Sequence, residues 1–249
     1  MKVSFKEEEM IEIKNFTKKY NKTFTAVDDL SLTIEDGDIY AFIGHNGAGK
    51  TTTIKCMMGI LDFSEGDILI NGLSIKKEPL LCKEQMAYIP DNPDLYEHLK
   101  GIDYIHFIAD MYKVPMEKRI ENIEKYALMF EIKDALGDEI SSYSHGMKQK
   151  VAIISALVHE PKVLILDEPF VGLDPISTHH LKEEMKRLAT MGITIFFSTH
   201  VLDVAEKLCN KIAIIKKGKK LFEGNMQDIT KDKSLEEIFV ELDQNVEVM

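Results

Sequence analysis

The chain has 249 residues, 45% of them hydrophobic, which is the composition of a folded globular protein rather than a disordered one. Its formal net charge of −11 leaves no general basic footprint for nucleic acid, so no nucleic-acid partner is expected. Three scattered cysteines, Cys56, Cys82 and Cys209, fit neither a disulfide framework nor a structural zinc site.

No segment of the sequence is predicted to cross a membrane. The longest apolar stretch near the middle, residues 151–158 interrupted by Ser155, is about half of the roughly 20 residues that a spanning helix needs. Residues 1–10 are charged and lack the apolar core of a secretory signal. We therefore expect a cytoplasmic chain.

The first ninety residues predict several strands around one helix. A helix is expected at Thr51–Gly59, directly after a glycine-rich turn. The strand-like runs are Ile11–Phe16, Leu30–Ile34, Ile39–Ile43, Asp67–Ile70 and Met86–Ile89.

The pattern then becomes helical and afterwards returns to short apolar runs. From about Gly101 to Leu136 apolar residues recur at helical spacing, which predicts a helical lobe inserted into an α/β core. The later runs suit buried parallel strands in βαβ order. These strands are predicted at Val163–Leu166, Ile193–Phe197 and Ile212–Ile215, with helices at Ser177–Ala189, Leu202–Leu208 and Ser234–Leu242, the last opened by the capping-box pair Ser234 and Glu237.

The strongest motif is a phosphate-binding loop at Gly44–Thr51, which follows an apolar strand and precedes a helix as this motif requires. Glycines let backbone N–H groups turn toward phosphate oxygens, and the helix N-terminus adds partial positive charge. Lys50 is predicted to reach the β- and γ-phosphates, and the Thr51 hydroxyl to ligate Mg²⁺. We interpret the His45 side chain as a spacer. The predicted nucleotide-binding residues here are Gly44, His45, Asn46, Gly47, Ala48, Gly49, Lys50, Thr51 and Thr52.

A pair of carboxylates, Asp167 and Glu168, ends the apolar strand that begins at Val163. The carboxyl ends of parallel strands face the ligand crevice, so Asp167 is expected to hold Mg²⁺ through water and Glu168 to polarise the attacking water. Alone, such a pair would more simply be a helix cap or a solvated turn. The phosphate loop favours the catalytic interpretation because a magnesium nucleotide needs such a pair.

His200 follows another buried run. A neutral imidazole there is able to contact the γ-phosphate and orient Glu168 or the water. The alternative is a capping or surface histidine, and the motif alone favours that alternative.

Together these motifs resemble the ATP-binding cassette proteins, the nucleotide-binding subunits of ABC transporters, over residues 11–224. The phosphate loop matches the Walker A motif, and residues 163–168 match Walker B with its catalytic glutamate. Residues 143–150 (Tyr-Ser-His-Gly-Met-Lys-Gln-Lys) match the family's signature loop, residues 172–175 its D-loop, and His200 its switch histidine.

The resemblance implies an α/β fold: a P-loop NTPase core with a mostly parallel sheet, an N-terminal antiparallel β subdomain and an inserted helical subdomain. It implies one domain over 1–249, with the catalytic core at 1–90 and 160–225, the helical subdomain at about 91–159 and a C-terminal helical tail at 226–249. It also implies that Tyr20 stacks on adenine. Ser144 and Gly146 would offer a hydroxyl and a backbone N–H to the γ-phosphate of a second cassette in a head-to-tail dimer.

Two residues depart from the family pattern. His145 replaces the first signature glycine, which bears on the local backbone geometry. Asp91 stands where the family has a glutamine that contacts Mg²⁺ and senses the membrane partner. One interpretation makes Asp91 a metal ligand, and the other makes it a turn residue with a local side-chain bond.

The function expected from this resemblance is ATP hydrolysis, with ATP and Mg²⁺ as cofactors, in a transporter subunit. Its partners would be an integral membrane permease and a second cassette, either a copy or a paralogue, so the chain would sit peripherally at the inner face of the cell membrane. Export is favoured by the form of the signature alone. The alternatives are an ABC-type ATPase without a transport role, which the short span between Gly44 and Ser144 disfavours, and a nucleotide-binding regulator without turnover.

Overall fold

The computed structural model describes residues 9–21 and 23–245. Residues 1–8 of the charged N-terminal segment and residues 246–249 of the predicted tail lie outside the described residues. The strands are β1 Glu9–Lys19, β2 Thr25–Glu35, β3 Ile39–Ile43, β4 Glu65–Ile70, β5 Leu73–Ser74, β6 Met86–Ile89, β7 Val163–Asp167, β8 Thr194–Thr199, β9 Lys211–Lys216 and β10 Lys219–Asn225. The α-helices are α1 Lys50–Met57, α2 Pro79–Lys83, α3 Gly101–Met111, α4 Met116–Met129, α5 His145–Leu157, α6 Pro175–Thr190, α7 Leu202–Leu208, α8 Met226–Ile229 and α9 Leu235–Asn245.

The N-terminal strands form an antiparallel sheet in the order β2-β1-β4-β5. Strand β1 alternates along its first half, so that Ile11 and Ile13 are buried on one face while charged neighbours stay more exposed. Its buried face packs into the same apolar core as Tyr40, Phe42 and Ile54, which joins this sheet to β3 and α1.

A second, six-stranded sheet has the order β10-β9-β3-β8-β7-β6. Strands β9, β3, β8, β7 and β6 run parallel, and β10 pairs antiparallel with β9 at the edge. Every residue of β3, β7 and β8 is buried, which explains the short apolar runs within them; the polar residues of β7 and β8 lie at the strand ends. The carboxyl ends of these three neighbouring strands therefore meet at one edge of the sheet.

Successive residues of β3 contribute to two different cores. Tyr40 and Phe42 face the core shared with the antiparallel sheet. Ala41 and Ile43 face the opposite core, to which α3, α4, α5 and α6 contribute their apolar sides. The central sheet is thus covered on both faces, the arrangement expected for parallel strands.

The predicted fold class is confirmed: the chain is α/β, with an antiparallel N-terminal sheet and a mostly parallel second sheet. Strands β3 and β6 and helix α7 have the predicted bounds. The helix expected at Thr51–Gly59 instead ends at Met57, since Gly59 has a φ of 60° that a helix cannot hold. The strand expected at Ile193–Phe197 runs from Thr194 to Thr199.

The described residues also include the cysteines, the cap of the last helix and the helices considered as membrane spans. All three cysteines are buried and free. The capping box forms, because Ser234 N donates to Glu237 Oε2 at 2.9 Å and Glu237 N donates to Ser234 Oγ at 3.3 Å. Within residues 9–21 and 23–245, no helix is both long enough and apolar enough to cross a membrane.

Candidate active site

The phosphate loop joins the buried end of β3 to the first turn of α1. Gly49 caps the helix with a φ of 112°, and a Cβ atom there would lie 2.7 Å from the Ala26 carbonyl oxygen. Any other residue would therefore clash and be strained at this position. Lys50 opens the helix, is buried, and folds back so that its Nζ donates to the Gly44 carbonyl oxygen at 2.7 Å.

Asp167 ends β7 and lies fully buried beneath the loop. Its Oδ1 accepts a hydrogen bond from Ser198 Oγ of the neighbouring strand β8, whereas its Oδ2 has no hydrogen-bond partner among the described residues. Burial raises the pKa of this carboxyl, as do the charges of Asp91 and Glu168, while hydrogen bonds from Ser198 and Thr51 act in the opposite direction. A buried carboxylate oxygen without a partner is suited to a cation.

Glu168 stands one residue beyond β7, where the chain leaves the sheet with a φ of 49°. Its backbone N–H donates to Ser198 Oγ at 3.1 Å, which ties this unusual conformation to β8. Its Oε1 lies 3.5 Å from Lys50 Nζ and 3.0 Å from His200 Nδ1. Side chains from the ends of β3, β7 and β8 thus converge on one carboxylate.

A cavity of about 250 Å³ opens at this edge of the sheet. It contains both the phosphate loop and the catalytic carboxylate predicted from the sequence. Its lining residues are Phe24, Ala26, His45, Asn46, Gly47, Gly49, Lys50, Thr51, Thr52, Asp91 and Glu168. Gly44 and Ala48 of the loop are not among the residues that line the cavity.

The aromatic part of the site contains a residue that the sequence analysis missed. Phe24 lines the cavity, and its ring lies 6.1 Å from the ring of Tyr20 at an interplanar angle of 21°. Tyr20 lies just outside the lining, with its hydroxyl 3.4 Å from Thr52 Oγ1. Both rings are about half exposed. A large apolar residue in the turn between two predicted strands was the sequence signal that could have identified Phe24.

The signature residues do not line this cavity. Ser144 is the N-cap of α5 and accepts from Met147 N at 3.3 Å. His145 begins the helix without a positive φ, so replacement of the family's glycine leaves ordinary helical geometry. The His145 ring occupies the space beside Gly172, where a Cβ atom would lie 2.3 Å from His145 Cδ2. The exposed signature segment therefore packs on the D-loop of its own chain.

Asp91 was interpreted from the sequence either as a metal ligand or as a turn residue, and the structure gives one observation that bears on each interpretation. It lines the cavity opposite the phosphate loop. Its Oδ1 also accepts a hydrogen bond from the Asn92 backbone N–H at 2.9 Å, which is the local bond expected of a turn residue.

Comparison with known proteins places this site in a large family. A family model described as ABC transporter matches residues 27–171. The uncharacterized ABC transporter ATP-binding protein YhcH of Bacillus subtilis (strain 168) is 39% identical over 220 residues, which are 88% of this chain and 71% of that protein. A solved ATP binding subunit of an ABC transporter is 34% identical with a TM-score of 0.89, covering 94% of this chain and 99% of that one. The structure of cbiO1 from Clostridium perfringens, described as part of the ABC transporter complex cbiONQ, is 26% identical with a TM-score of 0.78, covering 98% and 99%.

Proposed function

This chain belongs to the ABC transporter family of ATPases, and we propose that it binds ATP at Gly44–Thr51 and hydrolyses it with Glu168. The observation that carries the proposal is the convergence of Lys50, Asp167, Glu168 and His200 at the ends of three adjacent buried strands. In this arrangement the phosphate-binding groups and the water-activating group face one cavity.

Each of these side chains has a separate chemical task. The Lys50 ammonium neutralises charge on the β- and γ-phosphates. Glu168 polarises the attacking water, a role that contributes about 10²- to 10⁴-fold to such rates. His200 lies 3.0 Å from the Glu168 carboxylate, and its proposed task is to orient that carboxylate or the water and to contact the γ-phosphate.

The residues present fit Mg²⁺, whose preferred ligands are oxygen atoms. Asp167 offers a buried oxygen without a partner among the described residues, and the nearby Thr51 hydroxyl acts to lower the pKa of the same carboxyl. We propose that Thr51 and Asp167, with Asp91, hold the ion. When bound, Mg²⁺ neutralises charge that develops on the phosphate oxygens.

The position of the signature segment supports a two-cassette arrangement. Ser144 is exposed and Gly146 half-buried at the start of α5, away from the cavity of their own chain. The positive end of an α-helix whose N-cap hydroxyl is exposed to solvent is suited to a phosphate. We propose that the signature segment of one cassette completes the site of a second, and that ATP closes the pair.

The same proposal assigns a membrane partner. The relative cbiO1 is described as part of a transporter complex, which supports a separate permease for this chain. We propose that the helical subdomain, at about 91–159 between the core segments 1–90 and 160–225, passes the motion of the dimer to that permease. In the same proposed domain division, residues 226–249 form a C-terminal helical tail. Export is the favoured direction, and it rests on the form of the signature.

Under this proposal the chain lies at the inner face of the membrane only through its permease. Expressed alone, it should stay in the soluble fraction. Tight binding to protein-free liposomes would contradict this localisation, because it would require an anchor within the chain itself.

Two measurements test the proposed function. Steady-state phosphate release from ATP by the purified chain should be abolished by Glu168→Gln, and full activity of that variant would remove Glu168 from its role. Co-purification from detergent-solubilised membranes should recover an integral membrane protein. Recovery of soluble partners alone would favour the alternative of an ABC-type ATPase without a transport role.

A further inference from the structure

His45, the second residue of the phosphate loop, contacts the C-terminal helix α9. Its ring centroid lies 5.0 Å from that of Phe239, at an interplanar angle of 65° that gives an edge-to-face contact. Its Nε2 lies 3.5 Å from Asp243 Oδ1. The same histidine lines the nucleotide cavity, so α9 reaches the cavity through it.

Asp243 is itself fixed by the last residue of β9. Lys216 Nζ lies 2.9 Å from Asp243 Oδ1 and donates to the Asp243 carbonyl oxygen at 2.6 Å. This hydrogen-bonded ammonium, only one-tenth exposed, lowers the pKa of the Asp243 carboxyl. Since β9 pairs with β3, the strand that leads into the phosphate loop, the acid that faces His45 is held by the sheet beneath the loop.

The opposite end of α9 is also anchored. Leu235 is fully buried, and its backbone N–H donates to Glu206 Oε2 of α7 at 3.0 Å. Near the loop, the turn between β9 and β10 contributes one more bond, from Gly218 N to the Ala48 carbonyl oxygen at 2.9 Å. Helix α9 is therefore attached at both ends. Its contact with His45 links this anchored helix to the phosphate loop.

We propose that Phe239 and Asp243 of α9 are positioning residues for the phosphate loop, holding His45 so that the loop is ordered before ATP binds. This inference rests on the proposed ATP site at Gly44–Thr51. A loop already held in its binding conformation loses less conformational freedom on binding. Fixing one residue costs on the order of 1–2 kcal/mol, so release of His45 should weaken ATP binding by about fivefold to thirtyfold.

The coupling must also act in reverse. If α9 favours the ATP-binding form of the loop, bound ATP must stabilise the contact between His45 and α9 by the same factor. Amide hydrogen exchange within residues 236–243 should therefore slow when ATP binds, and this readout is independent of hydrolysis.

The first experiment is calorimetric titration of ATP, with Mg²⁺, into the full chain and its variants. His45→Ala, Phe239→Ala and Asp243→Asn should each raise the ATP dissociation constant about fivefold to thirtyfold. The double variant His45→Ala/Phe239→Ala should bind no more weakly than His45→Ala, because Phe239 acts through His45. Leu242→Ala is the matched control: it also packs on the core from α9, and it should keep the wild-type affinity.

Several outcomes would overturn the inference. These are unchanged affinity in both Phe239→Ala and Asp243→Asn, losses that multiply in the double variant, or an equal loss in Leu242→Ala. Slower exchange in α9 on ATP addition should appear in the wild-type chain and be absent in His45→Ala; an equal slowing in both would also overturn it. Failure of the wild-type chain to bind ATP would instead contradict the proposed function itself.

Discussion

The two regions predicted to hold ATP differ in how much of a site each contains. At the ends of β7 and β8, the half-exposed His200 lies 3.0 Å from Glu168, and Glu168 lines a cavity beside the phosphate loop. At the start of α5, Ser144 and His145 are exposed, and their nearest specific contacts are within the helix and with Gly172. Under the proposed function, the first region holds the chemistry, and the second offers a phosphate-binding surface to another chain.

This difference indicates which properties one chain can have alone. Binding of ATP and alignment of Glu168 need groups that the chain already brings together. Under the proposed pairing of two cassettes, contact of the γ-phosphate with Ser144 needs a second chain. Variants of the first region should therefore alter chemistry or affinity in the isolated chain, whereas variants of the signature should alter only what depends on pairing.

The largest effect is expected from Glu168→Gln. Loss of the water-activating carboxylate should lower turnover by about 10²- to 10⁴-fold, measured as phosphate release. ATP affinity should stay close to wild type, and an ATP-dependent dimer should become easier to detect by sedimentation. Glu183→Gln, which neutralises an exposed acid on α6, is the control and should keep normal turnover.

A smaller effect is expected from Ser144→Ala. Removing a hydrogen bond to a charged phosphate should cost about 1.5–3 kcal/mol, which is roughly a tenfold to hundredfold loss of turnover. ATP binding to the isolated chain should not change, because Ser144 is outside that cavity. Ser144→Thr keeps both the helix cap and the hydroxyl, and a loss in that variant equal to the loss in Ser144→Ala would argue against a phosphate contact.

The aromatic pair should affect affinity alone. Stacking of a base on an aromatic side chain is worth about 1–3 kcal/mol, so Tyr20→Ala should weaken ATP binding by roughly fivefold to a hundredfold, and GTP should compete measurably. Phe24→Ala tests the ring that lines the cavity. If Tyr20→Ala binds ATP like the wild type while Phe24→Ala does not, the adenine rests on Phe24.

The smallest effect is expected at Asp91. If its carboxylate meets the metal, Asp91→Ala should raise the Mg²⁺ concentration for half-maximal hydrolysis by several fold, and Asp91→Gln should retain substantial activity. If Asp91 only shapes the turn, Asp91→Asn should be nearly silent, since asparagine accepts the same bond from Asn92. Unchanged magnesium dependence in all three variants would assign Asp91 to the turn.

The sequence predicted best the elements that are buried throughout. Strands β3 and β6 are short apolar runs between turn residues, and the phosphate loop has a spacing that fixes its geometry. Strand β10 was missed because its residues 219–225 mix charged and apolar side chains without an apolar run and are partly exposed at the sheet edge. Helix α5 was not predicted from the local pattern, since from Val151 to Leu157 it is buried on every side and shows no amphipathic period.

The site shows a similar limit. Walker A and Walker B residues could be predicted because each lies in a local motif at a strand end. The contact of His45 with Phe239 and Asp243 joins positions that are far apart in the sequence, so no local sequence pattern could predict it. His45 was interpreted as a spacer for that reason, and the structure shows that this spacer has a tertiary partner.

The central claim, that two chains complete each other's ATP sites, is tested most directly by mixing two inactive variants. Glu168→Gln lacks the catalytic carboxylate but keeps its signature, and Ser144→Arg has the reverse defect. Each alone should be inactive, while an equal mixture should recover about a quarter of the wild-type phosphate release, because half of randomly paired dimers contain one intact site. Wild-type activity of Ser144→Arg by itself, or a mixture as inactive as its components, would contradict the account.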